Sequence, residues 1–187
     1  MNKKYLKDLN TDELTKVFHA NKTLQNQIYD DMVDTEMSYI SEQLDYLKDG
    51  ISDWSIGVYN RNYINVSDAD KFIESLDEVE KSIPILIDED TPKLQGALEL
   101  RDNYRNADMY SDEYDRLEEE LDEVADELAN LVTKRFTQVL DGCSKEEYQI
   151  DYFIEFYSDS RLDADSCYIN ADKNDYILYE DTVKSYN

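Results

Sequence analysis

Carboxylates are the side chains this sequence has in numbers large enough to do chemistry. There are 45 Asp and Glu against 19 Lys and Arg, a formal charge of −26 and a pI near 4.1. With so many acids some pair always falls at the spacing a glycosidase needs, so such a pair points to no reaction. The single histidine, His19, follows Phe18 on a short predicted helix with no Ser, Cys or Asp arrangement that would build a triad. It reads as a surface or capping residue. Phosphate-cradling, dinucleotide-binding, zinc-protease and nucleophile-elbow motifs are all missing, and four glycines are few for building phosphate loops. No enzyme and no cofactor are expected.

Oxygen ligands raise the question of a metal. The nearest approach to a calcium loop is Asn170, Asp172 and Asn174 with Asp181 at the twelfth position, but Asp175 stands at the sixth, where the sharp turn needs glycine. An Asn/Asp-rich hairpin turn accounts for the same letters, and no specific metal site is expected. Cys143 and Cys167 have no metal spacing and read as two reduced thiols.

What remains is charge as a binding device. The densest stretch is Asp108 to Glu127, DMYSDEYDRLEEELDEVADE, in which eleven acids meet one base, Arg116. Beneath the charge, Tyr110, Tyr114, Leu117, Leu121, Val124, Leu128 and Leu131 recur in alternating steps of four and three. This is one face of a helix, predicted over 112–141 and ending at Asp141-Gly142. Its outer face carries Asp112, Glu113, Asp115, Glu118, Glu119, Glu120, Asp122, Glu123, Asp126 and Glu127. Twenty helical residues span about 30 Å. Ten net charges along them give one per roughly 3 Å, near the 3.4 Å rise between phosphates of one DNA strand. Solvated helices usually alternate Glu with Lys at i,i+4, whereas this one sets like charge against like.

The elements that must position this helix follow from the rest of the chain. Asn10 with Glu13 caps a first helix carrying Leu14, Val17 and Phe18. A second helix starts near Lys22, keeps its apolar step through Leu24, Ile28, Met32 or Val33, Met37, Ile40, Leu44 and Leu47, and ends at Gly50 as a C′ glycine. Asp30, Asp31 and Asp34 lie on its polar face and are expected to assist the main acidic helix. Ile51 to Val66 reads as a short hairpin or a loop packed through Trp54. Ser67 with Asp70 opens a helix that stops at Pro84, and Thr91 caps another with Pro92 at its first position. In that helix Arg101 and Arg105 stand near the C-terminal end, where the dipole favours cations.

Beyond Gly142 the period changes to two. Tyr148, Ile150, Tyr152, Ile154 and Phe156 alternate with the residues between them through Tyr157, as in a strand, although Ser144 with Glu147 also resembles a helix cap and keeps a helix open over 144–157. Cys167 to Ile169 and Tyr176 to Tyr179 read as two further strands around a turn. The expected fold is α+β, with a mainly helical body over 1–142 and a small antiparallel β-rich subdomain over 143–187.

A composition of 41% hydrophobic and 12% aromatic residues is too rich for disorder. Met1 to Asp8 lacks an apolar signal core, and no run reaches the roughly 18 apolar residues of a membrane span. A soluble, cytoplasmic protein is expected. Anionic lipid and nucleic acid would repel this surface, so the expected partner is a basic protein. Sixteen tyrosines, among them Tyr104, Tyr110, Tyr114, Tyr157, Tyr176 and Tyr179 in acidic surroundings, offer apolar area with a hydroxyl, as binding surfaces do, or simply fill a core short of Phe.

Small size, acidity, abundant tyrosine and the Glu118 to Glu127 helix, EEELDEVADE, resemble the nucleic-acid-mimicking inhibitors of phages and mobile elements, the anti-CRISPR and anti-restriction proteins. The likeness is of composition and charge layout over the whole chain, and that class shares no single fold. It implies occupation of a DNA-binding groove in a nuclease, with a Cas9-type CRISPR nuclease as the leading case. Two other classes stay open: an acidic adaptor or antitoxin-like protein whose target handles no nucleic acid, and a structural homodimer through the Leu117 to Leu131 seam.

Overall fold

The computed structural model describes residues 2–155, 166–173 and 175–181. The chain is α+β with a mainly helical body. In order, the elements are β1 (Lys3–Tyr5), a 3-10 turn (Leu6–Asp8), α1 (Thr11–Ala20), α2 (Lys22–Leu47), β2 (Ile51–Ser55), β3 (Tyr63–Val66), α3 (Ala69–Ser82), α4 (Thr91–Asn106), α5 (Asp112–Gly142), α6 (Glu146–Tyr152), β4 (Cys167–Asn170) and β5 (Leu178–Glu180). Among the described residues no helix is long and apolar enough to cross a membrane.

Contacts divide the chain into two units, one formed by residues 1–35 with 142–187 and the other by residues 36–141. The sequential division expected at residue 142 is replaced by one in which both chain ends share a unit. The cause is β1, which pairs antiparallel with β4 (Lys3 opposite Asn170, Tyr5 opposite Tyr168), while β4 pairs with β5 on its other edge.

In the first unit, α1 begins as its capping box dictates. Asn10 Oδ1 accepts from the Glu13 N–H, and Glu13 Oε2 accepts from the Asn10 N–H. Leu14, Val17 and Phe18 pack with Leu6, Leu24, Ile28, Phe153 and Ile169. Asn21 joins the α1–α2 corner to the sheet: its Nδ2 donates to the Tyr176 carbonyl at 3.1 Å and its Oδ1 accepts from the Leu178 N–H at 3.0 Å. These bonds hold Tyr176 at a φ of 53°, a left-handed conformation costly for a bulky residue.

The strand expected from Tyr148 is a helix, α6, whose wider last turn continues to Glu155. Alternation put Phe153 on the less buried face. In the structure it is fully buried against Phe18, ring centroids 6.3 Å apart, with Ile150 and Ile154 beside it, and that i, i+3, i+4 face is helical. Glu146 and Glu147 in the first turn suit the helix dipole. Phe156 and Tyr157 lie outside the described residues. Cys143 and Cys167 are buried and form no disulfide.

The turn after β4 holds its acids with protein partners. Asn170 Oδ1 accepts from the Asp172 N–H, Asp172 Oδ2 accepts from the Asn2 N–H, and Asp181 pairs with Lys3 and Tyr5. Asn174 is outside the described residues. Among those described, no group of three or more His, Cys, Asp or Glu is placed to hold a metal.

In the second unit, α5 lies with the C-terminal half of α2, the hairpin β2–β3, α3 and α4. Its Leu121, Ala125, Leu128, Val132, Phe136 and Leu140 share one core with Ile40, Leu44, Phe72, Leu76 and Leu94. The seam considered for a homodimer is therefore filled from within the chain. The hairpin packs through Ile56 and Ile64, while Trp54, expected as the anchor, is 37% exposed. Caps shift by one residue from expectation: Asp68, not Ser67, opens α3 by accepting from the Lys71 N–H, and Asp90 precedes α4, leaving Thr91 and Pro92 in its first turn.

Gly50 does not take the left-handed C′ conformation, since no glycine in the chain has positive φ. It is needed for close approach. A Cβ on Gly50 would lie 2.4 Å from the backbone N and Cα of Phe72, and the Gly50 carbonyl accepts from the Ser67 and Asp68 N–H groups at the start of α3. Backbone on both sides cannot give way as a side chain can. Gly50→Ala should lower unfolding free energy by about 2 kcal/mol in urea titration; an unchanged midpoint would show that the corner relaxes freely.

Candidate acidic interface

The heptad of α5 turns Leu117, Leu121 and Leu128 inward, and the acids between them take the outer face. Asp112, Glu113, Asp115, Glu118, Glu119, Asp122, Glu123, Asp126 and Glu127 are all exposed, and Glu120 is half-buried. Residues four apart stack along a helix. Asp115, Glu119, Glu123 and Glu127 therefore make one row, and Glu118, Asp122 and Asp126 a neighbouring one. Within a row the step is about 6 Å, and the rows are offset by about 4.5 Å, the rise of three residues. Two staggered lines of negative charge run along one helix.

Little within the chain answers that charge. Among the described residues the cation meeting these acids is Arg116, whose Nη1 lies 3.3 Å from Glu120 Oε1 on an exposed surface. Such a pair contributes under about 1 kcal/mol. Each i,i+4 contact within the rows costs roughly 0.2–0.5 kcal/mol. The helix tolerates this because its other face is buried in the core.

Tyrosines frame the head of the helix. Tyr110, expected on the apolar face, instead precedes α5 in the turn that joins it to α4 and is 90% exposed, next to exposed Met109. Tyr114 turns inward onto Tyr104 of α4, with ring centroids 4.7 Å apart and the two hydroxyls 2.5 Å apart. That hydrogen bond, with burial, pushes the Tyr104 phenol far above its ordinary range, so it stays neutral beside Glu118.

A polar recess of about 330 Å³ adjoins the rows, lined by Asp68, Asp70, Tyr104, Glu118, Leu121 and Asp122 among others. Asp68 at the cap of α3 and Asp70 in its first turn bring two further carboxylates beside α5, which sequence reasoning missed. Both are answered by cations, Asp68 by Lys71 Nζ at 2.9 Å from its Oδ2 and Asp70 by two arginines. Arg105 donates to both Asp70 oxygens, from Nε at 2.7 Å and Nη2 at 2.6 Å, and Arg101 Nε donates to Oδ1 at 2.9 Å. The Arg105 bonds first, and the charge of Arg101 next among the favourable causes, outweigh burial and hold this carboxyl below the usual range.

Compared against protein families, curated proteins and solved structures, the chain has no match. The interface is thus read from its own residues. Asp30, Asp31 and Asp34 fall on the part of α2 that belongs to the first unit, with Asp30 and Asp34 exposed and Asp31 half-buried. The candidate interface is accordingly confined to α5, its tyrosine head and the recess. His19 is exposed, its Nδ1 3.3 Å from Glu146 Oε1 on α6.

Proposed function

We propose that this protein is a binding protein, not an enzyme, that inhibits a nucleic-acid-handling effector by offering the acidic rows of α5 to its basic groove. A Cas9-type CRISPR nuclease is the leading target. The observation that carries the reading is the pair of exposed carboxylate rows, which among the described residues meet no cation at ion-pair distance and carry a local cost. A Lys/Arg-lined groove that binds phosphates would meet a similar linear density of negative charge. Rows of one sign also steer association at long range. Tyr110 and Met109, exposed at the head of the rows, supply the apolar contact that holds a complex after encounter.

The test is affinity capture from a bacterial lysate expressing CRISPR and restriction effectors, followed by a DNA-cleavage assay on the retained protein. Mimicry requires that excess duplex DNA displace the captured effector and that the bound effector fail to cut. Capture that persists unchanged with excess duplex would favour the adaptor or antitoxin-like reading. Sedimentation as a tight dimer with no basic protein retained would favour a structural role.

A further inference from the structure

Gln43 is a buried side chain that the fold leaves unanswered. Its accessible surface is 0%, and neither its Nε2 nor its Oε1 has a hydrogen-bond partner among the described residues. It stands three residues after Ile40 and four before Leu47 on the inward face of α2, where Leu or Met would pack without penalty. A primary amide carries two donors and an acceptor oxygen, and buried polar atoms in native proteins are nearly always bonded. An amide with both ends orphaned calls for a partner from outside the chain.

The same side chain lines a cavity of about 260 Å³ between α2 and α3, with Tyr46, Ser75, Glu78, Val79 and Ile83 around it. That is several times the roughly 30 Å³ share of one water, so a single bridging water does not fill it. It falls just under the range of sites for drug-sized ligands, about 300–1,000 Å³, and suits one ring. The walls sort the ligand chemistry. Val79, Ile83 and the Tyr46 ring favour a flat apolar body, while Glu78 and the net charge of −26 disfavour an anion. The Gln43 donor and acceptor, side by side, match an adjacent N–H and C=O on one edge. Gln43 is fully buried, so a ligand reaches its amide only when a wall side chain moves, and Tyr46, largely exposed on the cavity wall, is free to do so.

We propose that the cavity between α2 and α3 binds a small neutral cyclic amide, with Gln43 as the bidentate partner of its cis N–H and C=O. This site does not depend on the acidic-interface reading. The experiment titrates 2-pyridone into the full ¹⁵N-labelled chain and follows the Gln43 side-chain NH₂ resonances by NMR, with N-methyl-2-pyridone, which lacks the donor, as comparison. Saturable shifts at Gln43 are expected, with the N-methyl compound at least about tenfold weaker, since a site built for a hydrogen bond rejects the analogue that cannot make it. Gln43→Met should lose 2-pyridone binding while its urea midpoint stays level or rises, because an unanswered polar group is removed. Equal binding of the two probes, no shift at Gln43 up to the solubility of 2-pyridone, or a lowered midpoint in Gln43→Met would each overturn the proposal.

Discussion

Replacing Glu118, Glu119, Asp122 and Glu123 together with Lys should abolish inhibition of the captured nuclease, with apparent affinity falling by about 100-fold or more, and leave the fold intact. The four positions take two neighbours from each row, two of four carboxylates from one line and two of three from the other. Steering by a field of one sign changes association rates by roughly 10–10³, and a reversed charge inside a basic groove adds repulsion to the lost attraction. The fold should survive because all four side chains are exposed and the buried seam of Leu117, Leu121 and Leu128 is untouched. Like-charge contacts at 115/119, 118/122, 119/123, 122/126 and 123/127 shape the helix's own cost, and three of them become opposite-charge contacts in the variant. Circular dichroism and a urea midpoint within about 0.5 kcal/mol of wild type would show that the loss is one of binding. Net charge alone is separated by a second variant, Asp30→Lys with Asp31→Lys and Asp34→Lys, which shifts it by nearly as much on the first unit. If that variant lost as much inhibition as the first, the rows of α5 would not be the determinant. Full inhibition by the quadruple variant would sink the mimicry reading outright.

The parts legible in the sequence are those whose cause is local. The Asn10–Glu13 box announces α1 because both of its hydrogen bonds lie within four residues. The α5 heptad repeats over enough turns that only one period fits, and the exposure of its acids follows as the complement of the seam. What was not legible depends on distant partners. β1 is three residues long, too short for a pattern, and exists because β4 lies more than 160 residues away to pair with it. For Tyr148 to Glu155 two periods fit the letters, and the choice was made by Phe18, which gives Phe153 a place in a core that no window around residue 150 contains. At the interface the same division holds. The rows could be read from α5 alone, whereas the recess needs Asp68 and Asp70 brought up from α3. Gln43 was readable in principle, as a polar residue in register with Ile40 and Leu47 on an otherwise apolar face.

Arg101→Ala should destabilise the second unit by about 3 kcal/mol at neutral pH, the largest loss expected from any single substitution considered. In the sequence Arg101 and Arg105 looked like cations answering the C-terminal dipole of α4. In the structure they reach across to α3. Arg101 is only 7% exposed, its Nε donates to Asp70, and its Nη2 lies 2.6 Å from Glu74 Oε1, a charge contact that lacks hydrogen-bond geometry. Breaking a buried pair typically costs about 3–5 kcal/mol, but here only Arg101 is buried, while Asp70 and Glu74 keep side-chain exposures of 24% and 47% and stay open to water. Arg105 still grips Asp70 in the variant, which places the expectation at the low end. Arg105→Ala should cost about 1 kcal/mol or less, since that side chain is 44% exposed and water replaces it. Acid separates this cluster from simple packing. The Asp70 and Glu74 carboxyls are both held below their ordinary values, Asp70 first by the Arg105 hydrogen bond and Glu74 first by the Arg101 guanidinium 2.6 Å away. A depressed carboxylate contributes stability above its unfolded pKa, near 4, and that contribution is lost as pH falls through the folded value. The difference between wild type and Arg101→Ala should therefore be level from pH 7 down to about 5 and shrink below about 4. A difference that stayed constant down to pH 2 would assign the loss to the packing of the Arg101 stem instead of to its charge.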